Sequence, residues 1–394
     1  MYNAFCIIHF VYLRGMAKDI TTPFPVSGYQ GPELFCNRVE EISTITNAIK
    51  GGRNITLFSI RRMGKTSLIQ HFFHLFGKEK NRLTLYVDIM PTFNLKDFTN
   101  QLATAIVQAF PENTSFGKKI WGWIKGLRPQ ISFDPYNGLP QLSFEIGQVG
   151  EQKASIKNLL QFMDQSGKKT VIAIDEFQQI TRYPEAETEA WLRSEIQQLQ
   201  NVNFIFSGSQ KHLLLEMFNS TKRPFYSSTQ MLPVGGIGKE HYAPFIAHHI
   251  KAGNKSIKED VIDFILEWCR FHTFYVQTLC NRVYASQEKN ISINTVQLII
   301  KRILAENEAV YFTFRELLTG PQWSLLIAIA KEGRVYTPTA GAFIQKNQLG
   351  TPATVKRSLD SLMNKEMIFR ESNASGNYYQ VYDLFLSRWL EYKQ

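Results

Sequence analysis

One segment restricts the architecture of this chain more than any other. Residues 54–59 are a short apolar run that leads through Ser59-Ile60-Arg61-Arg62-Met63-Gly64-Lys65-Thr66 into residues 64–76, which carry amphipathic helical spacing. A strand that turns through such a loop directly into a helix aims the free N–H groups of the helix start at the loop, which makes an anion cradle. Gly64, Lys65 and Thr66 match the end of the pattern Gly-x-x-x-x-Gly-Lys-Ser/Thr. In that pattern the glycine lets the backbone wrap phosphates, the lysine reaches the β and γ groups, and the hydroxyl binds Mg²⁺. Ser59 stands where the first glycine belongs, and a serine follows the same backbone path only if no positive φ is required there. The expectation is a P-loop for ATP or ADP, with Ser59, Arg61, Arg62, Met63, Gly64, Lys65, Thr66 and Ser67 binding the nucleotide and Lys65 also acting in catalysis.

A second apolar run, Val171-Ile172-Ala173-Ile174, ends in Asp175-Glu176. Ligands of open α/β sheets bind at the carboxyl ends of the strands. Asp175 is therefore expected, with Thr66, to hold Mg²⁺, Asp175 acting through the ion's water shell, and Glu176 to orient and deprotonate an attacking water. A third run, Phe204-Ile205-Phe206, ends in Ser207-Gly208-Ser209, which places Ser209 as a sensor of the γ-phosphate or of that water. Arg223, within Lys222-Arg223-Pro224-Phe225-Tyr226, is the candidate arginine finger, acting in cis or from a neighbouring copy in a homo-oligomer.

Between these runs the pattern alternates strand and helix: strands at 83–89, 170–174 and 203–207, helices at 39–49, 95–110 and 187–199. Alternation of this kind predicts an α/β fold with a parallel sheet sandwiched by helices. Residues 115–146 interrupt it. Strand patterns at 130–133 and 141–146, joined by Asp134-Pro135-Tyr136-Asn137-Gly138, predict an inserted hairpin. Residues 239–318 are helical in pattern throughout and predict an all-α lid domain. Helical patterns at 322–330, 338–346 and 352–365, followed by strands at 367–370 and 378–382, predict a winged helix-turn-helix. The expected domains are thus 21–238 (insert 115–147), 239–318 and 319–394, after a non-structural extension over 1–20.

At 394 residues the chain is long enough for several cores. Four scattered cysteines, Cys6, Cys36, Cys269 and Cys280, form neither a disulfide framework nor a zinc pair, which fits a reducing cytoplasm. The apolar stretch 4–13 is too short to span a bilayer, and its basic residue Arg14 follows it rather than precedes it. No integral membrane segment is expected. A net charge of +10 favours a polyanionic partner.

Three groups of residues resemble one family. Phe35-x-x-Arg38-x-x-Glu41, Arg61-Arg62-Met63-Gly64-Lys65-Thr66-Ser67-Leu68 and Asp175-Glu176-Phe177-Gln178 are similar to the archaeal-type ATPases of the STAND branch of AAA+-like P-loop proteins. Gly208-Ser209, Met217-Phe218 and Pro224-Phe225-Tyr226 resemble that family's sensor segment, His272-Thr273-Phe274-Tyr275-Val276-Gln277 its lid motif, and Val381-Tyr382-Asp383-Leu384-Phe385-x-x-x-Trp389-Leu390 its C-terminal motif. The resemblance implies a nucleotide-operated switch built from a P-loop domain, a helical lid and a winged helix. Phe35 and Arg38 read either as an entry motif on the adenine side or as a helix-start motif that packs on the core. Ser59-Ile60 replaces the family's usual Gly-Pro, and His272-Thr273 a common Gly-Gly or Gly-His.

Two surfaces offer further contacts. Thr354, Lys356 and Arg357 open the helix that would enter the major groove of duplex DNA. Over 322–394, however, nine Lys/Arg against six Asp/Glu leave only +3, and winged helices also serve as packing modules. The second surface, Phe116-Gly117-Lys118-Lys119-Ile120-Trp121-Gly122-Trp123-Ile124-Lys125-Gly126-Leu127-Arg128, interleaves cations with tryptophans and is expected to pack its aromatics on its own domain. Two functions follow from these features: a slowly hydrolysing Mg²⁺-dependent ATPase switch that acts on a protein or DNA partner, or a DNA-binding regulator or loader in which nucleotide is mainly structural.

Overall fold

The computed structural model describes residues 22–110, 115–126, 130–133, 139–143 and 148–392. The expected extension over 1–20, the turn 134–138, residues 144–146 of the second hairpin strand, and Leu127 and Arg128 lie outside them. Contacts divide the described residues into one unit over Pro25–Tyr242 and another from Ala243 onward, to which residues 22–24 belong.

The first unit begins with α1 (Val39–Lys50), β1 (Ile55–Phe58), α2 (Lys65–Phe76), β2 (Arg82–Asp88), α3 (Leu95–Ala109) and α4 (Ser115–Gly126). A hairpin, β3 (Gln130–Phe133) and β4 (Pro140–Ser143), leads into α5 (Val149–Asp164) and β5 (Lys169–Asp175). It closes with α6 (Thr188–Gln197), β6 (Val202–Gly208), α7 (Lys211–Asn219) and β7 (Gln230–Pro233). The sheet order is β2-β5-β6-β1-β7, and every pairing is parallel. In β5 every residue after Lys169 is buried, as expected of a parallel strand covered on both faces. Ile172, Ile174, Phe204 and Phe206 face a core shared with α3 and α5. Val171, Ala173 and Ile205 face the opposite core, built on α1 and α2.

The insert takes the expected hairpin form, antiparallel with Gln130 opposite Ser143. Its second strand covers 140–143 rather than starting at 141, because Leu142 is the residue with a core to enter: it is buried, and its N–H donates to Thr104 Oγ1. Ahead of it, α4 buries Ile120, Trp121 and Ile124, leaves Lys118 and Lys119 exposed, and donates Trp121 Nε1 to the Phe110 carbonyl. This is the packing expected of its aromatics; Trp123's side chain and Arg128 are not among the described groups.

The second unit runs through α8 (Lys239–Ala252), inside which the division falls, β8 (Ser256–Ile257), α9 (Glu259–Trp268), α10 (Thr273–Ala285) and β9 (Asn290–Ile291). The stretch expected to be helical throughout therefore holds a two-residue parallel strand pair, β8 with β9. Next come α11 (Ile293–Glu306), α12 (Glu308–Leu317), α13 (Gly320–Glu332), α14 (Gly341–Asn347), α15 (Pro352–Asn364), β10 (Ile368–Asn373), β11 (Gly376–Val381) and α16 (Leu384–Tyr392). Three helices and the ribbon β10–β11 form the winged helix, and an isolated bridge, Val335 to Tyr379, adds a third strand position. Thr351 starts α15 by accepting the N–H of Thr354 on its hydroxyl. The ribbon turn is tighter than expected, since the ladder persists to Asn373 opposite Gly376, whose φ of 114° only glycine adopts readily. At the other end Phe24 is fully buried against Phe245, His249 and Tyr284, and the Asn281 amide binds the Phe24 carbonyl. Phe24 thus packs with the helical unit.

Phe206 packs among Phe177, Phe204, Phe218 and Phe225 with ring centroids 4.3 to 5.7 Å away. Phe206→Ala is expected to cost the first unit about 3–5 kcal/mol, read as a lowered urea midpoint. Phe206→Leu should cost clearly less, and equal losses from both would refute the cavity argument.

Candidate nucleotide site

The sheet order decides what meets at the site. β6 lies between β1 and β5, with Leu57 opposite Ser207, Phe58 opposite Gly208 and Ile174 opposite Phe206. The loop after β1, the carboxylates after β5 and the serines ending β6 therefore emerge side by side.

Gly64 caps α2 in the left-handed region at φ 91°, and Arg62 is left-handed at φ 63°. Ser59 is not among the residues of positive φ, so a side chain there follows the loop without strain. Its hydroxyl accepts from Lys65 Nζ at 3.0 Å and donates to the Ile60 carbonyl at 2.9 Å. Lys65 is 6 % exposed and also donates to the Ile60 carbonyl. Burial lowers its pKa, against the pull of Asp175 and Glu176 upward. Thr66 is exposed at the start of α2, and Ser67 donates to the Gly28 carbonyl. Met63 is buried, and Arg61 Nε reaches Ser209 Oγ at 3.4 Å.

Asp175 is buried and collects four donors. Thr66 Oγ1 (2.8 Å) and Tyr86 OH (2.6 Å) bind Oδ2, while Ser207 Oγ (2.6 Å) and the Glu176 N–H (3.0 Å) bind Oδ1. Burial first, and Asp175 second, push the Tyr86 hydroxyl far above its ordinary range, so it stays a donor. Glu176, left-handed at φ 56°, accepts on Oε2 from Ser209 Oγ at 2.9 Å, from the Ser209 N–H at 3.3 Å and from Gln178 Nε2 at 2.6 Å. The structure thus brings together Ser59, Arg61, Lys65, Thr66, Asp175, Glu176 and Ser209.

Three expected residues sit elsewhere or act differently. Arg38 is 4 % exposed and bonds the Met63 carbonyl at 3.1 Å, the Gly235 carbonyl at 2.7 Å and Glu41 at 2.7 Å. It braces the loop from behind, as a buried guanidinium with five donors can. Phe35 stacks on His71 of α2 at 4.2 Å, with Tyr29 OH on His71 Nδ1 at 2.9 Å, so one ring face is taken by a neighbouring side chain. Arg223 pairs with Glu189 and, at 3.6 Å, with Glu216. Burial raises the Glu189 pKa, and Arg223 opposes that rise. None of Lys65, Asp175, Glu176 and Ser209 is a partner of Arg223 in the described pairs.

Tyr86 and Ser207 have no role legible in the sequence, and Gln178 is visible there only as a motif letter. Tyr86 carries at most a faint signal, since it alternates with apolar neighbours in the strand pattern 83–89 just as Thr84 and Asp88 do. Among the described residues no group of three or more His, Cys, Asp and Glu could hold a metal, and no helix is long and apolar enough to cross a membrane.

Residues 35–225 match the family model described as an ATPase domain predominantly from Archaea, and residues 309–392 match that of a probable winged helix domain. A Walker-type ATPase of Pyrococcus abyssi superposes with a TM-score of 0.62 at 17 % identity, covering 93 % of this chain and 99 % of that one. The ORC2 protein of Aeropyrum pernix, solved in ADPNP-ADP complexes, gives 0.56 at 14 %, covering 95 % and 96 %. No curated protein matches the sequence. The chain therefore carries an archaeal-type ATPase domain followed by a winged helix domain; the solved structures share its fold, and the ATPase-domain match supports nucleotide binding and ATP hydrolysis.

Arg38→Ala strips a charged donor from the carbonyls of the buried Met63 and of Gly235. The expected loss is about 2–3 kcal/mol, with faster amide hydrogen exchange at residues 61–65 than elsewhere in the unit. Uniform exchange across the unit would show that Arg38 does not brace the loop.

Proposed function

We propose that the chain binds ATP with Mg²⁺ at this cluster and hydrolyses it slowly, as a molecular switch of the STAND branch that couples nucleotide state to domain arrangement and partner binding. One observation carries the reading: Lys65 lies buried in its loop while Thr66 touches one catalytic-type carboxylate, Asp175, and Ser209 touches the other, Glu176. The donor set fits the group. A lysine ammonium and a helix N-terminus suit phosphate oxygens, and a hydroxyl paired with a carboxylate suits a hard divalent cation. In this reading Lys65 holds the β and γ phosphates, the loop from Ser59 to Ser67 wraps them, and Thr66 and Asp175 hold Mg²⁺. Bound Mg²⁺ would neutralise charge on those oxygens. Glu176 takes the proton of the attacking water, and Ser209 senses the phosphate end through the same carboxylate. Arg223 would act as a finger only after leaving Glu189, and a neighbouring copy is the alternative source. Phe35 and Arg38 stay on the adenine side of the proposal, Arg38 as the brace of the loop. The division of the second unit into a lid over 239–318 and a winged helix over 319–394 belongs to the same proposal, as does a cytoplasmic setting.

Purified protein is expected to bind ATP·Mg²⁺ and to lose that binding in Lys65→Ala. Glu176→Gln should keep binding and lose turnover by a factor of about 10² or more. Unchanged turnover in Glu176→Gln would remove the base assignment.

A second reading is favoured by the exposure of Lys356 and Arg357 on α15, with Thr354 half-buried beside them. Here the winged helix binds duplex DNA and nucleotide is mainly structural. Binding should weaken with salt, and Lys356→Glu/Arg357→Glu should abolish it. No gel shift at low salt would end this reading.

A further inference from the structure

Gln178 belongs to the first turn after Glu176, and it is 3 % exposed. Its amide nitrogen donates to Glu176 Oε2 at 2.6 Å, the shortest of the three bonds on that oxygen. A carboxylate accepts and never donates in its ionised form, so this contact fixes which end of the amide faces Glu176. The other end, Oε1, is then buried with no hydrogen-bond partner. It lies against the backbone of Gly208, where an added Cβ would come within 2.0 Å of it. Gly208 has no positive φ, so the glycine is needed there for room and not for backbone conformation.

An unpaired buried carbonyl is unfavourable, and a fold retains one when the group serves another end. The end visible here is the carboxylate of Glu176. Three donors converge on Oε2, and no described residue donates to Oε1 of Glu176. One oxygen is anchored and its twin is left with both lone pairs free, which is the arrangement a general base requires. The anchor reaches back to the phosphate loop, since Arg61 Nε contacts the same Ser209 hydroxyl that binds Glu176.

We propose that Gln178 is a positioning residue for hydrolysis: seated on the side-chain-free face of Gly208, its amide pins one oxygen of Glu176 so that the other is presented to water. This rests on the reading of Glu176 as the base. The contribution is orientation, and it acts on turnover and not on nucleotide affinity.

Gln178→Met keeps the shape of the side chain and removes both the donor and the unpaired oxygen. The expected result has three parts: kcat falls about tenfold or more, KM for ATP stays within about twofold, and the melting temperature does not fall, because a buried orphan has gone. In single-turnover assays at high enzyme concentration, Gln178→Met added to Glu176→Gln slows the reaction no further. Gln178→Glu, which sets two carboxylates against each other, loses turnover while still binding ATP, and it tests the same role should the methionine variant melt early. Wild-type kcat in Gln178→Met, or loss of kcat and ATP binding together in both variants, overturns the proposal. Should Glu176→Gln turn over like wild type, the base reading falls and the positioning role goes with it. Should Glu176→Gln be inactive while Gln178→Met is unaffected, only the positioning role falls.

Discussion

The structure of the site depends on one pairing constraint: β6 is hydrogen-bonded on both sides, to β1 and to β5. Parallel ladders have a fixed register, and shifting one by a single residue would turn every side chain to the opposite face. Here both faces of the central strands are buried in different cores, with Phe204 and Phe206 on one and Ile205 on the other. A slip would force each set into space shaped for the other. The register is therefore held by packing over the whole sheet, and the ends of β1, β5 and β6 are placed to the accuracy of that packing. Chemistry that needs a lysine, two carboxylates and a serine within hydrogen-bond reach can be assembled from three strands far apart in sequence.

The consequence is clearest at Asp175. A buried carboxylate is tolerable only when its lone pairs are met, and this one is met by three hydroxyls and a backbone N–H. The hydroxyls come from α2, β2 and β6, so one side chain ties together the helix after the loop and two strands flanking β5. Hydroxyls rotate, unlike the N–H groups of a ladder. Thr66 can thus exchange Asp175 for a ligand without any strand moving, while Tyr86 and Ser207 keep the carboxylate in place. Glu176 has a different environment. It is partly exposed and held through one oxygen, as suits a group that meets solvent.

The parts that can be read in the sequence are those with a strong local cause. The apolar runs before Ser59, Asp175 and Ser207 become β1, β5 and β6 because a strand covered on both faces has to be apolar throughout, and the sequence shows it. β7 is not legible: it offers only Met231 and Leu232 between Gln230 and Pro233, is half-exposed at the sheet edge, and becomes a strand only because β1 is there to pair with. Helix α5 is absent from the sequence-based expectations although Ile156, Leu159, Leu160 and Met163 have the spacing of one buried face. Its first turns are polar, and its core partners in α3 lie some fifty residues earlier. The role of Arg38 is hidden for another reason. A motif places an arginine near the nucleotide, but only three dimensions reveal that its partners are the carbonyls of Met63 and Gly235. Contacts between side chains and distant backbone leave no periodicity to read.

Backbone strain follows the same map. Arg38, Arg62 and Glu176 all adopt positive φ without being glycine, at 70°, 63° and 56°. Each such residue costs about 1–2 kcal/mol, and such conformations persist where surroundings over-determine them. For Arg38 the fixing contacts are the two carbonyls and Glu41. For Glu176 they are Ser209 and Gln178. Both residues stand at an element boundary where the chain must change direction at once, Arg38 into α1 and Glu176 out of β5 into a tight helical turn. A regular residue at the end of β5 would carry the chain straight on, and the next side chain would follow the strand's alternation. The left-handed step at Glu176 breaks that alternation. It turns the residues after Asp175 back toward β6, so that Glu176 and Gln178 arrive together at Gly208 and Ser209. The strain is thus local to the one residue whose direction the strand could not otherwise supply.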